Sequence, residues 1–243
     1  MGLNLIICKI KYHYFPYLLK NEEFIYMLEQ CGISVGKGTI FYNPQTIQID
    51  RSRTYLLTIG EYCKITSGVT ILTHDYSRSV LRRVYGEIIG EGKKTYIGNN
   101  VFIGMNSIIL MGSHIGDNVI VGAGSVVHGK FPNNVVIAGN PAKIICTLDA
   151  FYQKRCKEQF HDAVECINTF IEKYKRKPNI KEVDPFWQLF LERSEEAIQK
   201  NGVNIELNGD NVEDVIKNFL NTKKSFNSFE DFLNFCILNK SKN

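Results

Sequence analysis

The sequence predicts a mainly β protein: a left-handed parallel β-helix of hexapeptide repeats, with helical segments at both ends. One aliphatic residue returns at every sixth position over a long stretch: Ile97, Ile103, Ile109, Ile115, Val121 and Val127. An α-helix repeats about every 3.6 residues and a strand every two, so neither produces this period. A triangular β-helix does, because each coil has three short sides and the leading residue of every side points inward.

Other positions of the hexad support the same fold. Glycine follows the leader at Gly98, Gly104, Gly116 and Gly122. The fifth place is small or β-branched at Val101, Ser107, Ser113, Val119 and Ser125. A weaker series of leaders comes before: Val35, Phe41, Ile47, Arg53, Ile59, Ile65 and Ile71. Arg53 breaks the apolar pattern, so we expect the chain to bulge at Ser52–Tyr55 and the β-helix to span residues 33–147.

The two series are out of phase, because the separation of Ile71 from Ile97 is not a multiple of six. Residues 73–96 are rich in charge and have neither a helical nor a strand period. We therefore predict that they leave the β-helix wall as a long excursion loop. Loops of this length in a compact domain usually have a function.

Residues 1–32 predict a short helical segment. Aromatic residues and leucines occur at mixed helical spacing, and Gly32 is suited to ending a helix in the left-handed conformation. We expect this segment to cap the open end of the β-helix, although its mixture of aromatic and basic residues would also suit a lipid headgroup surface.

After Val127 the hexads decay. We expect a last strand at residues 135–137 and a turn away from the β-helix at residues 138–143. From Leu148 an apolar stripe of helical period continues to Tyr174. Further helices are predicted at Pro185–Arg193, at Val212–Leu220 with Asn211 as its cap, and after Ser228. Residues 148–243 thus form a predicted α-helical extension.

Composition indicates a soluble globular protein. Of 243 residues, 44% are hydrophobic and 22% charged, and the net charge of +4 does not call for a nucleic-acid partner. No stretch approaches the ~20 apolar residues of a transmembrane helix. The seven cysteines include no Cys-x-x-Cys pair, which argues against a disulfide framework and a zinc ribbon. We expect a cytoplasmic location.

His74 is the strongest candidate for chemistry among the five histidines, because it lies where the predicted wall gives way to the excursion. Histidine is the usual general base near neutral pH. Asp75 and Glu87 are candidates for orienting it, if they are not simply solvated loop carboxylates. A zinc site with His114 and His128 is not supported, because the separation of these two histidines does not match a coil of three hexads. Nucleophile-elbow, P-loop and dinucleotide motifs are absent from the sequence.

Residues 33–145 resemble the hexapeptide-repeat acyltransferases, in particular the xenobiotic, maltose and galactoside O-acetyltransferase branch. They look closest to the O-acetyltransferases of surface polysaccharides such as capsule and O-antigen. The motifs that carry the resemblance are Ile71–Ser77, Ile97–Gly104, Ile120–Val127 and Ala138–Lys143. The helical extension lies outside this signature.

The resemblance implies an acetyl-CoA donor, no metal, and a homotrimer with each active site in a cleft between neighbouring β-helices. It implies that His74 is the catalytic base. The implied cofactor-binding positions lie along the wall and the turn after it: Gly104, Met105, Gly122, Ala123, His128, Asn140 and Lys143. Of these, Lys143 would face the CoA phosphates.

The predicted function is therefore acetyl transfer from acetyl-CoA to a saccharide hydroxyl, with a surface-polysaccharide precursor as the acceptor. Two alternatives remain open on the sequence. One is an N-acyltransferase that acts on an amino sugar or another amine. The other is a non-catalytic β-helix scaffold, which would not bind CoA.

Overall fold

The computed structural model describes residues 3–240, and the chain divides into two compact units between Phe151 and Tyr152. The helices are α1 (Leu3–Tyr14), α2 (Asn21–Gln30), α3 (Arg78–Tyr85), α4 (Leu148–Tyr174), α5 (Glu195–Asn201), α6 (Val212–Leu220) and α7 (Phe229–Leu238). The strands are β1 (Ser34–Val35), β2 (Ile40–Phe41), β3 (Gln48–Ile49), β4 (Leu57–Ile59), β5 (Lys64–Ile65), β6 (Thr70–Ile71), β7 (Thr95–Ile97), β8 (Phe102–Ile103), β9 (Ile108–Ile109), β10 (His114–Ile115), β11 (Ile120–Val121), β12 (Val126–Val127), β13 (Lys130–Phe131), β14 (Val135–Gly139) and β15 (Ala142–Thr147).

The strands of the first unit form the three faces of a left-handed parallel β-helix, which confirms the predicted fold. Face A has the order β1-β4-β7-β10-β13, face B has β15-β14-β11-β8-β5-β2, and face C has β12-β9-β6-β3. Successive coils pair in parallel, with Ile97 opposite Ile115 and Ile109 opposite Val127. The two members of each pair are three hexads apart in the sequence, which is one coil.

The hexad leaders form the core of this unit. Ile97, Ile103, Ile109, Ile115, Val121 and Val127 are all completely buried. Burying one such side chain contributes roughly 1.5–3 kcal/mol, so these ladders supply most of the driving force for stacking the coils. The buried serines at the fifth place are satisfied by backbone carbonyls; for example, Ser113 Oγ donates to Leu110 O at 2.6 Å and Val127 O at 3.0 Å.

The early coils are longer and less regular. Ile49, and not the expected leader Ile47, lies opposite Ile71, which makes this coil longer than three hexads. A 3₁₀ turn at Thr54–Leu56 occupies the region of the expected bulge. Ile47 is still buried, but in the turn before the strand. In this coil, the hexad series therefore predicts the wrong residue as the inward-facing residue of the strand.

The excursion is inserted into a single coil. Ile59 pairs with Ile97 and Ile71 with Ile109, although the members of each pair are separated by more than twice the length of a regular coil. The excursion contains the short helix α3, and the amide of Lys93 donates to the carbonyl of Thr73 at 3.2 Å where the chain returns.

Helices and a hairpin cover the two ends of the β-helix. Helix α2 buries Phe24, Met27 and Leu28 in the core of the first unit, and the Phe24 ring packs edge-to-face on Phe41. At the other end the hexads continue further than expected, because Phe131 of β13 pairs with Ile115. Strand β15, which the sequence did not predict, then pairs antiparallel with β14.

The second unit is helical, with its own core. Its buried side chains are Ala163, Ile167, Val183, Trp187, Leu189, Phe190, Leu191, Phe219, Phe232, Leu233 and Cys236. The caps of α6 and α7 are Asn211 and Ser228, as predicted. The predicted helix at Pro185–Arg193 is wrong: only a 3₁₀ turn forms at Phe186–Leu189. Within residues 3–240, no helix combines the length and apolar composition needed to cross a membrane.

Candidate active site

His74 lies just beyond the end of β6, where the chain leaves face C for the excursion. Asp50 directly follows β3, the strand that pairs in parallel with β6. Because neighbouring parallel strands end at the same edge, this register brings Asp50 beside Thr73 and His74. Nδ1 of His74 lies 2.5 Å from Oδ2 of Asp50.

Asp50 is held by several hydrogen bonds besides the one to His74. Oδ2 accepts from the backbone amide of Thr73 at 3.2 Å and from the Thr73 hydroxyl. Oδ1 accepts from the amide of Ser52 at 2.9 Å and from its hydroxyl at 2.8 Å. The Ser52 hydroxyl oxygen also lies 3.1 Å from Nδ1 of His74. These contacts fix the carboxylate, and through it the imidazole ring.

The network keeps Asp50 ionised. Burial of its side chain, only 6% exposed, opposes ionisation. Hydrogen bonds from Thr73, Ser52 and His74 outweigh this effect and hold the pKa of Asp50 well below its usual range. Since an ionised carboxylate can only accept, it assigns the proton of neutral His74 to Nδ1 and leaves a lone pair on Nε2. The His74 side chain stays 24% exposed, so a substrate can reach it.

The carboxylate at Nδ1 of His74 thus belongs to Asp50, which corrects the expectation that Asp75 or Glu87 orients the ring. Asp75 instead accepts from the amide of Ser77 at 2.8 Å and interacts with the carboxyl group of Glu91. This contact, followed by the bonds from Ser77, lowers the pKa of Asp75 to about 2 and raises that of Glu91. Glu87 is exposed on the excursion.

A strip of small residues runs along a different edge, where face B turns into face C. Gly104 and Gly122 directly follow β8 and β11 on adjacent coils. A Cβ on Gly104 would lie 2.5 Å from the amide nitrogen of Ala123, and a Cβ on Gly122 would lie 2.8 Å from the Cβ of Ala138. Stacking of the coils therefore demands glycine at both positions, whether or not a ligand lies outside.

The other predicted cofactor residues lie on or near this strip, with one exception. Met105 and Ala123 are exposed beside the glycines, and Lys143 of β15 pairs with Ala138 of β14. Asn140 is exposed in the turn of the same hairpin. The exception is His128, which follows β12 and lies at the edge where face C turns into face A, as His74 does.

No cluster of three or more His, Cys, Asp or Glu side chains within residues 3–240 has the arrangement to hold a metal ion. His114 does not meet His74: its ring stacks on Tyr96, with 4.7 Å between ring centroids. The reactive groups that the described structure brings together at the end of face C are His74, Asp50, Ser52 and Thr73. Sequence reasoning missed the last three because it placed the strand two positions too early.

Comparison with known proteins agrees with the fold. Residues 94–129 match the family model "Bacterial transferase hexapeptide (six repeats)". The chain is 46% identical over 131 residues to Protein CapG of Staphylococcus aureus, covering 52% of this chain and 73% of CapG. It is 53% identical over 155 residues to the putative lipopolysaccharide biosynthesis O-acetyl transferase WbbJ of Escherichia coli (strain K12), covering 54% of this chain and 76% of that protein.

A third relative is the galactoside O-acetyltransferase of the same E. coli strain, 40% identical over 124 residues. That match covers 51% of this chain and 58% of the relative. The hexad ladder, the three-faced β-helix and relatives of this similarity agree. The chain belongs to the hexapeptide-repeat acetyltransferase family.

Proposed function

We propose that this protein transfers the acetyl group of acetyl-CoA to a hydroxyl group of a saccharide, with His74 as general base. The observation that carries the proposal is the bond between Nδ1 of His74 and the ionised Asp50. A histidine that is reachable from solvent and fixed in one tautomer by a buried carboxylate is equipped to accept a proton at Nε2.

In the proposed reaction, His74 first accepts a proton and then returns it. Nε2 of His74 takes the proton of the acceptor hydroxyl while the hydroxyl oxygen attacks the thioester carbonyl. The tetrahedral intermediate then collapses, the carbon–sulfur bond breaks, and the CoA sulfur leaves with the proton from the imidazolium. Asp50 stabilises the imidazolium between these steps by charge and keeps the ring in place.

The strip at Gly104, Ala123, Gly122 and Ala138 supports the donor assignment. Glycine or alanine occupies each of these four positions, and Ala123 is exposed, which suits the narrow pantetheine arm of CoA. Lys143 lies in the next strand and is exposed, so its ammonium group is available to the CoA phosphates.

The separation of the two edges supports a homotrimer. His74 stands at the edge between faces C and A, whereas the glycine strip stands at the edge between faces B and C. One face of the β-helix lies between them. In a trimer of parallel β-helices, the His74 edge of one subunit can meet the strip of its neighbour, and three equal clefts result. Each active site in this proposal needs two copies of the chain.

The names of the relatives support a saccharide acceptor, since one is named for galactoside and another for lipopolysaccharide biosynthesis. We place a surface-polysaccharide precursor first among acceptors. The charged excursion beyond His74 is the segment that would contact it.

The experiment is an acetyl-transfer assay with acetyl-CoA, a panel of sugar nucleotides and oligosaccharides, and detection of the product by mass. We expect His74→Ala to lower turnover by ~10²–10⁴-fold, the effect of losing a general base. His161→Ala is the matched control, because His161 is exposed in the second unit. Turnover of His74→Ala near that of the wild type would overturn the assignment. A product that resists mild alkali would show transfer to an amine instead of a hydroxyl.

A further inference from the structure

Helix α1 carries a second apolar face that the core of the first unit does not use. Its inward side is formed by Cys8, which is buried, with Leu5 and Tyr12 packed partly against the core. Its outward side and the turn after it expose large apolar side chains, each from about a third to three-quarters accessible: Ile6, Ile7, Ile10, Tyr14, Phe15, Tyr17 and Leu18. We call these seven residues the α1 apolar face. An exposed apolar patch of this kind marks a contact surface.

The charges around the α1 apolar face are of both signs, with an excess of positive ones. Residues 1–20 contain lysines and a histidine but no Asp or Glu. Lys9 and Lys11 stand on either side of Ile10, each about 100° around the helix from it. Lys11 is paired with Glu23 of α2 at 2.5 Å, and Glu22 is the other carboxylate at the start of that helix. The four cations Lys9, Lys11, Lys20 and Arg51 stand against the three carboxylates Glu22, Glu23 and Asp50, so the region carries a net positive charge.

We propose that the α1 apolar face binds the surface of a membrane that contains anionic lipids. A helix with aliphatic residues on one side, lysines at the flanks and tyrosines near its end is suited to the boundary between headgroups and acyl chains. Tyrosine favours this depth because its ring is apolar and its hydroxyl polar. Each lysine near an anionic surface adds about 1 kcal/mol of attraction.

The position of α1 gives this docking a consequence for catalysis. The guanidinium of Arg51 stacks on the Tyr12 ring at 5.2 Å, and Arg51 is the residue between Asp50 and Ser52, which hold His74. A membrane bound at α1 would therefore lie near the His74 edge. This step rests on the proposed function: it identifies the acceptor as a saccharide on a lipid carrier, presented at the membrane surface.

The test is co-sedimentation of the full-length protein with vesicles of phosphatidylcholine containing phosphatidylglycerol, and with vesicles of phosphatidylcholine alone. We expect binding to the anionic vesicles that weakens at high salt. Ile7→Gln and Ile10→Gln should each reduce the partition coefficient about tenfold or more, since each removes an aliphatic side chain that the membrane would bury. Leu207→Gln changes an exposed leucine outside α1 and should leave binding unchanged.

The proposal is wrong if the wild-type protein stays in the supernatant with anionic vesicles, or if the two isoleucine substitutions do not reduce binding. If these substitutions instead lower the molar mass in solution, the face is a contact between copies of the chain, and the proposal is also wrong. Acetyl transfer to a soluble sugar should survive in folded Ile7→Gln and Ile10→Gln. A wild-type protein that transfers no acetyl group would count against the proposed function, whereas vesicle binding is measured without substrate.

Discussion

Substitution of Asp50 by asparagine probes the site most sharply. The change keeps the shape of the side chain but removes its charge and replaces one acceptor oxygen with an NH₂ donor. In the wild type both oxygens only accept: one from Thr73 and His74, the other from Ser52. Whichever way the asparagine amide turns, its NH₂ group faces the donors on one side.

We expect two effects of different size. Catalysis should fall by ~10²–10⁴-fold in kcat, because the imidazolium loses its counter-charge and the tautomer of His74 is no longer fixed. At about 1.36 kcal/mol per factor of ten, this is roughly 3–5 kcal/mol of transition-state stabilisation. The free energy of unfolding should fall by about 1–3 kcal/mol, the cost of a mismatched hydrogen-bond network around a buried group.

The assay is steady-state acetyl transfer, which gives kcat and kcat/KM, together with urea unfolding of both proteins. Both kcat and kcat/KM should fall in Asp50→Asn, because the lost counter-charge acts in the transition state. Glu87→Gln is the control, because it removes one carboxylate charge from the exposed excursion and should change kcat less than threefold, in line with ~0.5 kcal/mol for a surface substitution. A folded Asp50→Asn enzyme with near-wild-type kcat and kcat/KM would refute the role of the Asp50–His74 pair.

Three further predictions concern the wall, the donor and the acid range. Gly104→Ala should lower the free energy of unfolding by about 1–3 kcal/mol even without CoA, measured by urea unfolding, because its Cβ would press on Ala123; unchanged stability would contradict the stacking. Lys143→Ala should raise the KM for acetyl-CoA severalfold at low salt and much less at high salt, with kcat nearly unchanged, in steady-state assays; an unchanged KM would remove Lys143 from the CoA site. In urea titrations at different pH, the wild type should be more stable than Asp50→Asn by a constant amount above about pH 4. This difference in the free energy of unfolding should shrink as the pH falls further, because the folded-state pKa of Asp50 is lowered. A difference independent of pH would contradict the ionised network.

Sequence alone was sufficient wherever the hexads are strict. From Ile97 to Val127 every leader became a buried residue at the predicted position, since only one register buries the whole ladder. The role of Asp50 was not predicted, because its coil is longer than three hexads. Both Ile47 and Ile49 are apolar, so the pattern gave no reason to prefer the second as the strand residue, and Asp50 was not recognised as the neighbour of His74.

The helical unit shows a similar limit. The caps of α6 and α7 could be predicted because Asn211 and Ser228 each precede an amphipathic stretch. The error at Pro185–Arg193 has a packing cause. Trp187, Leu189, Phe190 and Leu191 are all buried, which a single face of an α-helix cannot provide for residues so close in sequence. Tertiary packing, not local propensity, determines this segment.

The insertion of the excursion into one coil separates two functions of the chain. On all three faces, the residue before the insertion and its partner after it are separated by the same number of positions in the sequence. These pairs are Ile59–Ile97, Ile65–Ile103 and Ile71–Ile109. Chain added or removed between His74 and Lys93 would leave these pairings intact, and the entropy of closing a longer loop grows only slowly with its length. Asp50 and His74 stand at the root of the excursion, on the wall. Relatives could therefore exchange this segment, and with it the molecule they modify, while inheriting the reaction unchanged.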